Sequence, residues 1–444
     1  MVNQTHLQML ITPEWNSWRD ANRVNTPDLT GADLRNLDLT NRDLSGADLT
    51  RAKFDGSNLT GAIFRLSTFM DTSMLGANLT NATLERANLT GIDFRDAKLE
   101  KANLKSAILN RATLTKVSLR GAIMENAKFE ATNLEGADFT GALMKDASFK
   151  GTGLAGSIFE TTILENVVLD NMELNKVNMR NADLTGASLK YTKLRDADLQ
   201  SAKLCRAKMI GTDFAGANLQ QTDFEGAELI EVKFDNVSLQ RSRFNSARLE
   251  KVAFSSANIR DAWFENTRFQ SVNLQTMDLR VAKFPGAEFT ASNLNGIDVR
   301  GMDLKGIKLK SCSLIGAKFA DANLESAILD NSILSGASMR QANFSKATLV
   351  GATIEKADLT GINLTAANLN KVSFVNSDLR FAKLMRSNVT EAKFTDANIG
   401  GINMTDAIAK KANFWKAKPS KTSKIVCDFY WKPLLMIFRL TSKE

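Results

Sequence analysis

Acid–base, metal and nucleophilic chemistry each need a few side chains that converge: His, Cys and carboxylates above all. This chain of 444 residues has one histidine, His6, and three cysteines, Cys205, Cys312 and Cys427. A single His removes the commonest acid–base group and metal ligand. The cysteines lie more than 100 residues apart, so no CxxC or Cys/His zinc spacing exists. His6 lies in the terminal segment and is expected to be without partners, so a Ser–His or Cys–His pair is not supported. Asp and Glu are abundant, but they recur at fixed intervals rather than in a cluster. The glycines recur at intervals too, and no Gly-rich phosphate loop appears. The side chains therefore point to no enzyme, no cofactor and no metal. Unpaired thiols suit a reducing compartment, so a cytoplasmic protein is expected.

What places every side chain is a repeat. From Leu29 to Phe414, each residue whose number ends in 4 or 9 is Leu, Phe, Met, Ile or Val, with Ala409 the one exception. Of these 78 centres, 43 are Leu and 22 are Phe; only Phe381, Phe429 and Phe438 of the 25 phenylalanines lie elsewhere. Two residues before a centre, 42 of 78 positions are Ala, and 24 of the 26 glycines fall two residues after one. The unit reads Ala-(Asp/Asn)-(Leu/Phe)-x-Gly, as in Ala47-Asp48-Leu49-Thr50-Arg51.

A period of five fits neither secondary structure alone. A helix would smear the centres around its circumference, and a long strand would send successive centres to opposite faces. Each unit must be a short extended piece plus a turn. Centre and Ala face inward, Gly takes the turn, and Asp, Asn, Thr and Ser bond turn backbone. One unit buries almost nothing, so units must stack.

Two signals set the number of units per coil. Seven of the arginines that directly follow a centre, among them Arg260, Arg280 and Arg300, are separated by multiples of 20, and phenylalanines from Phe214 to Phe264 recur every ten. Four units of five explain both. Residues 20 apart then form columns, and centres ten apart face each other across the interior.

These features resemble the pentapeptide-repeat family. The match covers residues 27–416 without an insertion or deletion. The resemblance implies an all-β solenoid, a right-handed quadrilateral β-helix of about 19–20 coils and, at ~4.8 Å per coil, a rod roughly 90 Å long. Small segments should close its ends. Residues 1–26 are expected to form an N-terminal cap with a short helix. There Thr12 would be the N-cap, Pro13 the first helical residue, and Trp15 and Trp18 would share one face. A WNxWR segment before the first unit resembles the start of many bacterial members. Residues 417–444 leave the register: a basic linker over 418–424, then an apolar stretch holding Phe429, Trp431, Leu434, Leu435 and Phe438. That stretch is a cap on the last coil, a homodimer element or an interfacial membrane contact. It is too short to span a bilayer, and no membrane-spanning helix is expected anywhere.

Charge narrows the function. The net charge is +8, but residues 417–444 carry six Lys/Arg and two Asp/Glu, and residues 1–26 are neutral, leaving the solenoid about +4 and well mixed. No basic stripe marks a nucleic-acid partner. Some bacterial pentapeptide-repeat proteins protect DNA gyrase by imitating DNA with an acidic rod, a surface this sequence lacks. Others are secreted effectors. The expected role is a non-enzymatic binding rod or scaffold for a protein partner. Two surfaces are candidates. The Arg column (Arg260, Arg280, Arg300) either neutralises itself against Asp278 and Asp298 or offers guanidinium groups to an acidic partner. Ile123, Leu143 and Ile163 occupy an outward position usually polar and are spaced by 20, so they should form one apolar column, with Ile158 and Val168 on adjacent faces.

Overall fold

The computed structural model describes residues 3–23, 26–275 and 277–428. The chain divides into two compact units, Met1–Arg243 and Phe244–Glu444. Each is a four-sided parallel β-solenoid, preceded in the first unit by helices α1 (Gln4–Leu10) and α2 (Trp15–Ala21).

The register is the one that the columns require. Residue n pairs in parallel with residue n + 20 on all four faces, as Asp28 with Asp48, Asp33 with Lys53, Asp38 with Asn58 and Asp43 with Ile63. At 20 residues to the coil, 28–243 make nearly eleven coils and 244–418 nearly nine. Extended pieces are so short that few count as strands: β1 (Lys208–Ile210) and β2 (Glu228–Ile230) in the first unit, and β3 (Arg248–Glu250), β4 (Arg268–Gln270), β5 (Glu288–Thr290) and β6 (Lys308–Lys310) in the second.

The backbone of a unit satisfies itself almost wholly through its neighbours. Lys53 N donates down to Ala32 O; Leu29 N and Gly31 N donate up to Asp48 O and Thr50 O; Ala32 N closes the turn onto Leu29 O. The fifth N–H, on the residue after the centre, is most often taken by the Asp or Asn two residues earlier, as Thr30 N by Asp28 Oδ1, Arg95 N by Asp93 Oδ1 and Thr390 N by Asn388 Oδ1, and in other units by an Asp or Asn one coil back, as Lys190 N by Asp170 Oδ1. This is the reason for the Asp/Asn preference, since an Asx side chain supplies the acceptor that the turn lacks.

The turn fixes the last position of the unit. Its residue has φ near +60° at 24 glycines and at 52 other residues, among them Asn36, Lys101 and Arg111. Among described turn residues only Val281 departs. A β-branched side chain is crowded against its own backbone in the left-handed region; Thr161 is the one β-branched residue that adopts it, with its hydroxyl donating to Glu160 O, and Val has no such hydroxyl. Leu279–Val281 forms a 3₁₀ turn instead, with Asp278 accepting from Arg280 N.

The interior is filled. Every described centre is buried except Phe284, which is half-buried. Phenylalanines 20 apart stack, as Phe129 on Phe149 at 5.3 Å and Phe394 on Phe414 at 4.6 Å between centroids. Phe224 and Phe234, ten apart, meet edge to face at 6.0 Å. Thr and Ser at the small inward position turn their hydroxyls to a centre carbonyl 23 residues back, as Thr162 to Phe139 O at 2.8 Å.

The ends depart from the sequence reading. Thr12 does not cap a helix: α1 is capped by Asn3, Thr12 Oγ1 donates to Met9 O, and α2 begins at Trp15 with Glu14 before it. The N-terminal segment therefore holds two short helices, not one. At the other end, pairing runs past 416. Lys418 pairs with Asn398, Lys424 with Asn403, and β7 (Ala407–Ile408) with β8 (Cys427–Asp428). The segment read as a basic linker is thus bonded to the coil below, with Gly401 N donating to the hydroxyls of Ser420 and Ser423. Ala409 does not fray the ladder, because Ile408 N still donates to Ser387 O.

Phe234 tests the inward assignment. It is fully buried and stacks on Phe214 at 5.6 Å. Phe234→Ala is expected to cost about 3–5 kcal/mol, because rigid coils cannot collapse onto the cavity. Chemical denaturation reads the loss, and a change below about 1 kcal/mol would mean that the side chain is not a core residue.

Candidate functional site

The outward positions form columns, and the columns decide what the surface can do. On one face of the first unit Asn103, Ile123, Leu143, Ile163 and Asp183 pair in succession. The three apolar residues thus stand together, and Ile158 and Val168 belong to other columns. Stacking has a consequence that the sequence did not show. Ile123, Leu143 and Ile163 cover one another and are only half-exposed, whereas Val168 is 55% exposed.

Beside this column runs a corner groove of about 560 Å³, lined by Thr80, Glu100, Lys101, Arg120, Gly121 and Gly141. Gly121 and Gly141 lie two residues before Ile123 and Leu143, so groove and column adjoin. No Cβ stands over its floor there. Arg120 is tied to Asp138 at 2.9 Å, and Glu100 accepts from Ser118 Oγ at 3.0 Å. The far side of the face is a charge ladder that sequence reasoning missed: Arg65–Glu85 at 2.5 Å, Lys105–Glu125 at 2.6 Å and Lys145–Glu165 at 3.1 Å. Its signal was present, as alternating charges at intervals of 20 from residue 65 to residue 165.

The Arg column of the second unit neutralises itself. Arg280 Nε lies 2.9 Å from Asp278 and its Nη1 3.6 Å from Asp298; Arg300 lies 2.7 Å from Asp298. These guanidinium groups hold the carboxyls of Asp278 and Asp298 well below the usual carboxylate range. Asn258 stands where an aspartate would precede Arg260, and it accepts from Arg260 N. Arg280 and Arg300 are therefore engaged, and the guanidinium stripe expected of this column reduces to Arg260.

At the N-terminal edge the helices do what a cap must do, which is satisfy the first coil's open ladder. Trp15 is fully buried and its Nε1 donates to Asp43 O at 2.8 Å. Asn16 accepts from Asp43 N and Arg19 donates to Ser45 O. Trp18 is half-buried, 5.2 Å from Trp15 and 5.4 Å from His6. His6 is not without partners, as the sequence reading had it: its Nδ1 accepts from Asp28 N at 3.1 Å. The lone histidine is thus part of the cap.

The C-terminal candidates Phe429, Trp431, Leu434, Leu435 and Phe438 lie outside the described residues. Among the described residues no group of His, Cys, Asp and Glu is arranged to hold a metal, and no helix is long and apolar enough to cross a membrane. Burial pushes the Cys312 thiol up to about 11 and raises that of Cys205, so neither is a ready nucleophile.

Family models described as a pentapeptide repeat region and as pentapeptide repeats match residues 47–122, 157–234, 217–294 and 237–319, and 28–65, 122–160, 329–361, 357–401 and 387–418. No curated protein matches. Similar solved structures include HetL, a pentapeptide repeat protein involved in heterocyst differentiation regulation from the cyanobacterium Nostoc, at 25% identity and TM-score 0.28, covering 56% of this chain and 95% of that one. A pentapeptide repeat protein of the Arabidopsis thaliana thylakoid lumen is 37% identical with TM-score 0.18, covering 26% and 72%. QnrB1, a plasmid-mediated fluoroquinolone resistance protein, is 14% identical with TM-score 0.16, covering 58% and 93%.

The cap yields a differential test. Trp15→Ala removes a buried ring and a donor to the first coil, at a cost of about 3–5 kcal/mol to the cap. It should promote association through the uncovered edge, whereas Trp18→Ala should do so far less. Light scattering and thermal melts on both variants check the order.

Proposed function

Because this chain belongs to the pentapeptide-repeat family, we propose that it is a non-enzymatic scaffold, acting in the cytoplasm, whose first unit receives a protein partner. The observation that carries this reading is the corner groove of about 560 Å³ set beside the column Ile123–Leu143–Ile163. It joins a concavity with a glycine floor to an apolar strip, which is the combination that a protein segment needs: an anchor and polar groups at its margin. Ion-pair ladders such as Lys105–Glu125, at the far side of this face, and Arg300–Asp298, in the second unit, are exposed, and pairs of that kind contribute only about 0–1 kcal/mol each. They keep those surfaces solvated rather than adhesive.

A photo-reactive residue in place of Leu143 should cross-link one partner selectively from a lysate of the source cells. The same residue in place of Asp223, in the same column, should not. Leu143→Glu should abolish capture by wild-type-like affinity reagents while leaving the melting temperature near its original value, since the position faces outward.

A topoisomerase decoy is the second reading, and the charge arrangement works against it. Duplex mimicry needs a continuous acidic face, whereas the ladders here alternate in sign. Added at micromolar concentration, the protein is expected to leave quinolone inhibition of DNA supercoiling unchanged. Protection would overturn the assignment.

A further inference from the structure

The ladder of the second unit is interrupted over two successive levels: among the described residues no backbone hydrogen bond joins Val252–Arg260 to Val272–Asp278, and the coil above is unbonded over two faces. In a regular coil Phe284 N would donate to Asp303 O, Gly286 N to Lys305 O, and Asp303 N to Ala282 O, following the pattern set by Leu384 to Asn403, Arg386 to Thr405 and Asn403 to Ala382. Among the described residues no backbone hydrogen bond joins Asp278–Gly286 to Asp298–Lys305. The Asp278–Asp298 and Lys283–Asp303 pairings are missing with them, so two adjacent faces are unzipped at this level.

Three sequence features converge there. Val281 is β-branched and lacks the hydroxyl that Thr161 donates to Glu160 O in the same turn, and here the coil bends through the 3₁₀ turn instead. The carbonyl offered to Asp261 N becomes that of Val281, one residue beyond the regular partner. On the facing coil Ile297, Met302 and Ile307 fill three successive small inward positions where Ala is usual. All three line the gap. The result is a cavity of about 20 Å³ lined by apolar side chains, including Leu279, Phe284, Leu294, Met302, Leu304 and Phe319. Phe284 and Met302 are half-exposed at its mouth. An apolar void of this kind gains nothing from admitting water.

What spans the gap is made of side chains. Arg280 is anchored to Asp278 at 2.9 Å and reaches Asp298 on the opposite coil at 3.6 Å, and Arg300 holds Asp298 at 2.7 Å. The same gap occurs more mildly in the first unit, between Phe149–Gly156 and Val168–Lys176, where Ser148 and Val168 remain paired and the centres stay buried.

We propose that the boundary between Asp278–Gly286 and Asp298–Lys305 is a latched opening in the solenoid wall, closed by the Asp278–Arg280–Asp298 bridge and uncovering the apolar lining around Phe284 and Met302 when the bridge is released. The regular wall cannot do this, because opening it would break several backbone bonds at once. Here the backbone bonds are already absent, and beside the apolar packing an exposed ion pair is the polar tie that remains. Such a tie responds to salt, which screens it. The device is independent of the partner surface, which lies in the other unit.

Amide hydrogen exchange on the full chain tests it. The amides of 279, 281, 284 and 286 are compared with those of 379, 381, 384 and 386, which occupy the same columns and are fully bonded. The first set should exchange at least ~10-fold faster. Arg280→Gln should speed it further, as should molar salt acting on the unaltered protein, and both should raise the fluorescence of an apolar dye. Val281→Gly, which restores the turn, should slow exchange at 281–286 and lower dye binding. Equal protection of the two sets would overturn the proposal. So would exchange at 279–286 that ignores both salt and Arg280→Gln, since the wall would then be open without a latch.

Discussion

One constraint governs the molecule: most backbone groups of a coil find their partners on the coil above or below, so residue n must stand over residue n − 20. Everything else follows from keeping that alignment. Parallel strands of two or three residues would not persist alone, since a single unit makes one internal turn bond and three bonds to its neighbours. The centres need to be apolar because the four faces leave no other volume for them. The Asp or Asn before the centre is favoured because the stacked geometry leaves one N–H per unit without a backbone acceptor, and a short Asx side chain reaches it from the same unit or, as Asp55 does for Leu75 N, from the neighbouring coil.

Much of this could be read from the residue types. The period of five, the inward centres, the turn glycines and the coil of four units all follow from positions such as Leu29, Ala47, Gly31 and the Phe214–Phe264 run, and the ladder reproduces them. The Arg280–Asp278 and Arg300–Asp298 pairs were also legible, because two residues along one strand share a face. The groove beside Ile123 was not. It depends on Gly121 and Gly141 following each other at a corner flanked by longer side chains from Lys101 and Arg120, a coincidence within two adjacent columns rather than a motif. The capping detail was half legible. Trp15 and Trp18 marked the segment, but which one would be buried depended on how α2 meets the carbonyls of Asp43 and Ser45.

The reading was most misleading where the repeat looked intact. Leu279, Phe284 and Leu304 keep the lattice through the region in which the wall is unzipped, and the departure lies in the residues around them. Val281 occupies a turn position filled elsewhere by residues as unfavourable as Leu66 or Phe381, both of which accept φ near +60°. Leu and Phe branch beyond Cβ, whereas Val branches at Cβ itself, next to the backbone, and it lacks the hydroxyl by which the β-branched Thr161 bonds Glu160 O in the same turn. A consensus that records hydrophobicity cannot register that difference.

The charge ladder from Arg65 to Glu165 also bears on how such a chain changes over generations. Glu125 meets Lys105 in space while residues Asn126 to Met144 separate it from Lys145 along the chain. A reversal of sign at Glu125 would be felt by residues a full coil away and hardly at all by Met124 or Asn126. Epistasis in this protein should therefore have a period of 20, and compensating changes should climb a column rather than spread along the sequence. A duplication of one whole coil preserves every such pairing, whereas gaining a single five-residue unit would rotate all later columns by one face. Whole coils are the natural unit of inheritance for this fold, even though the visible repeat is four times shorter.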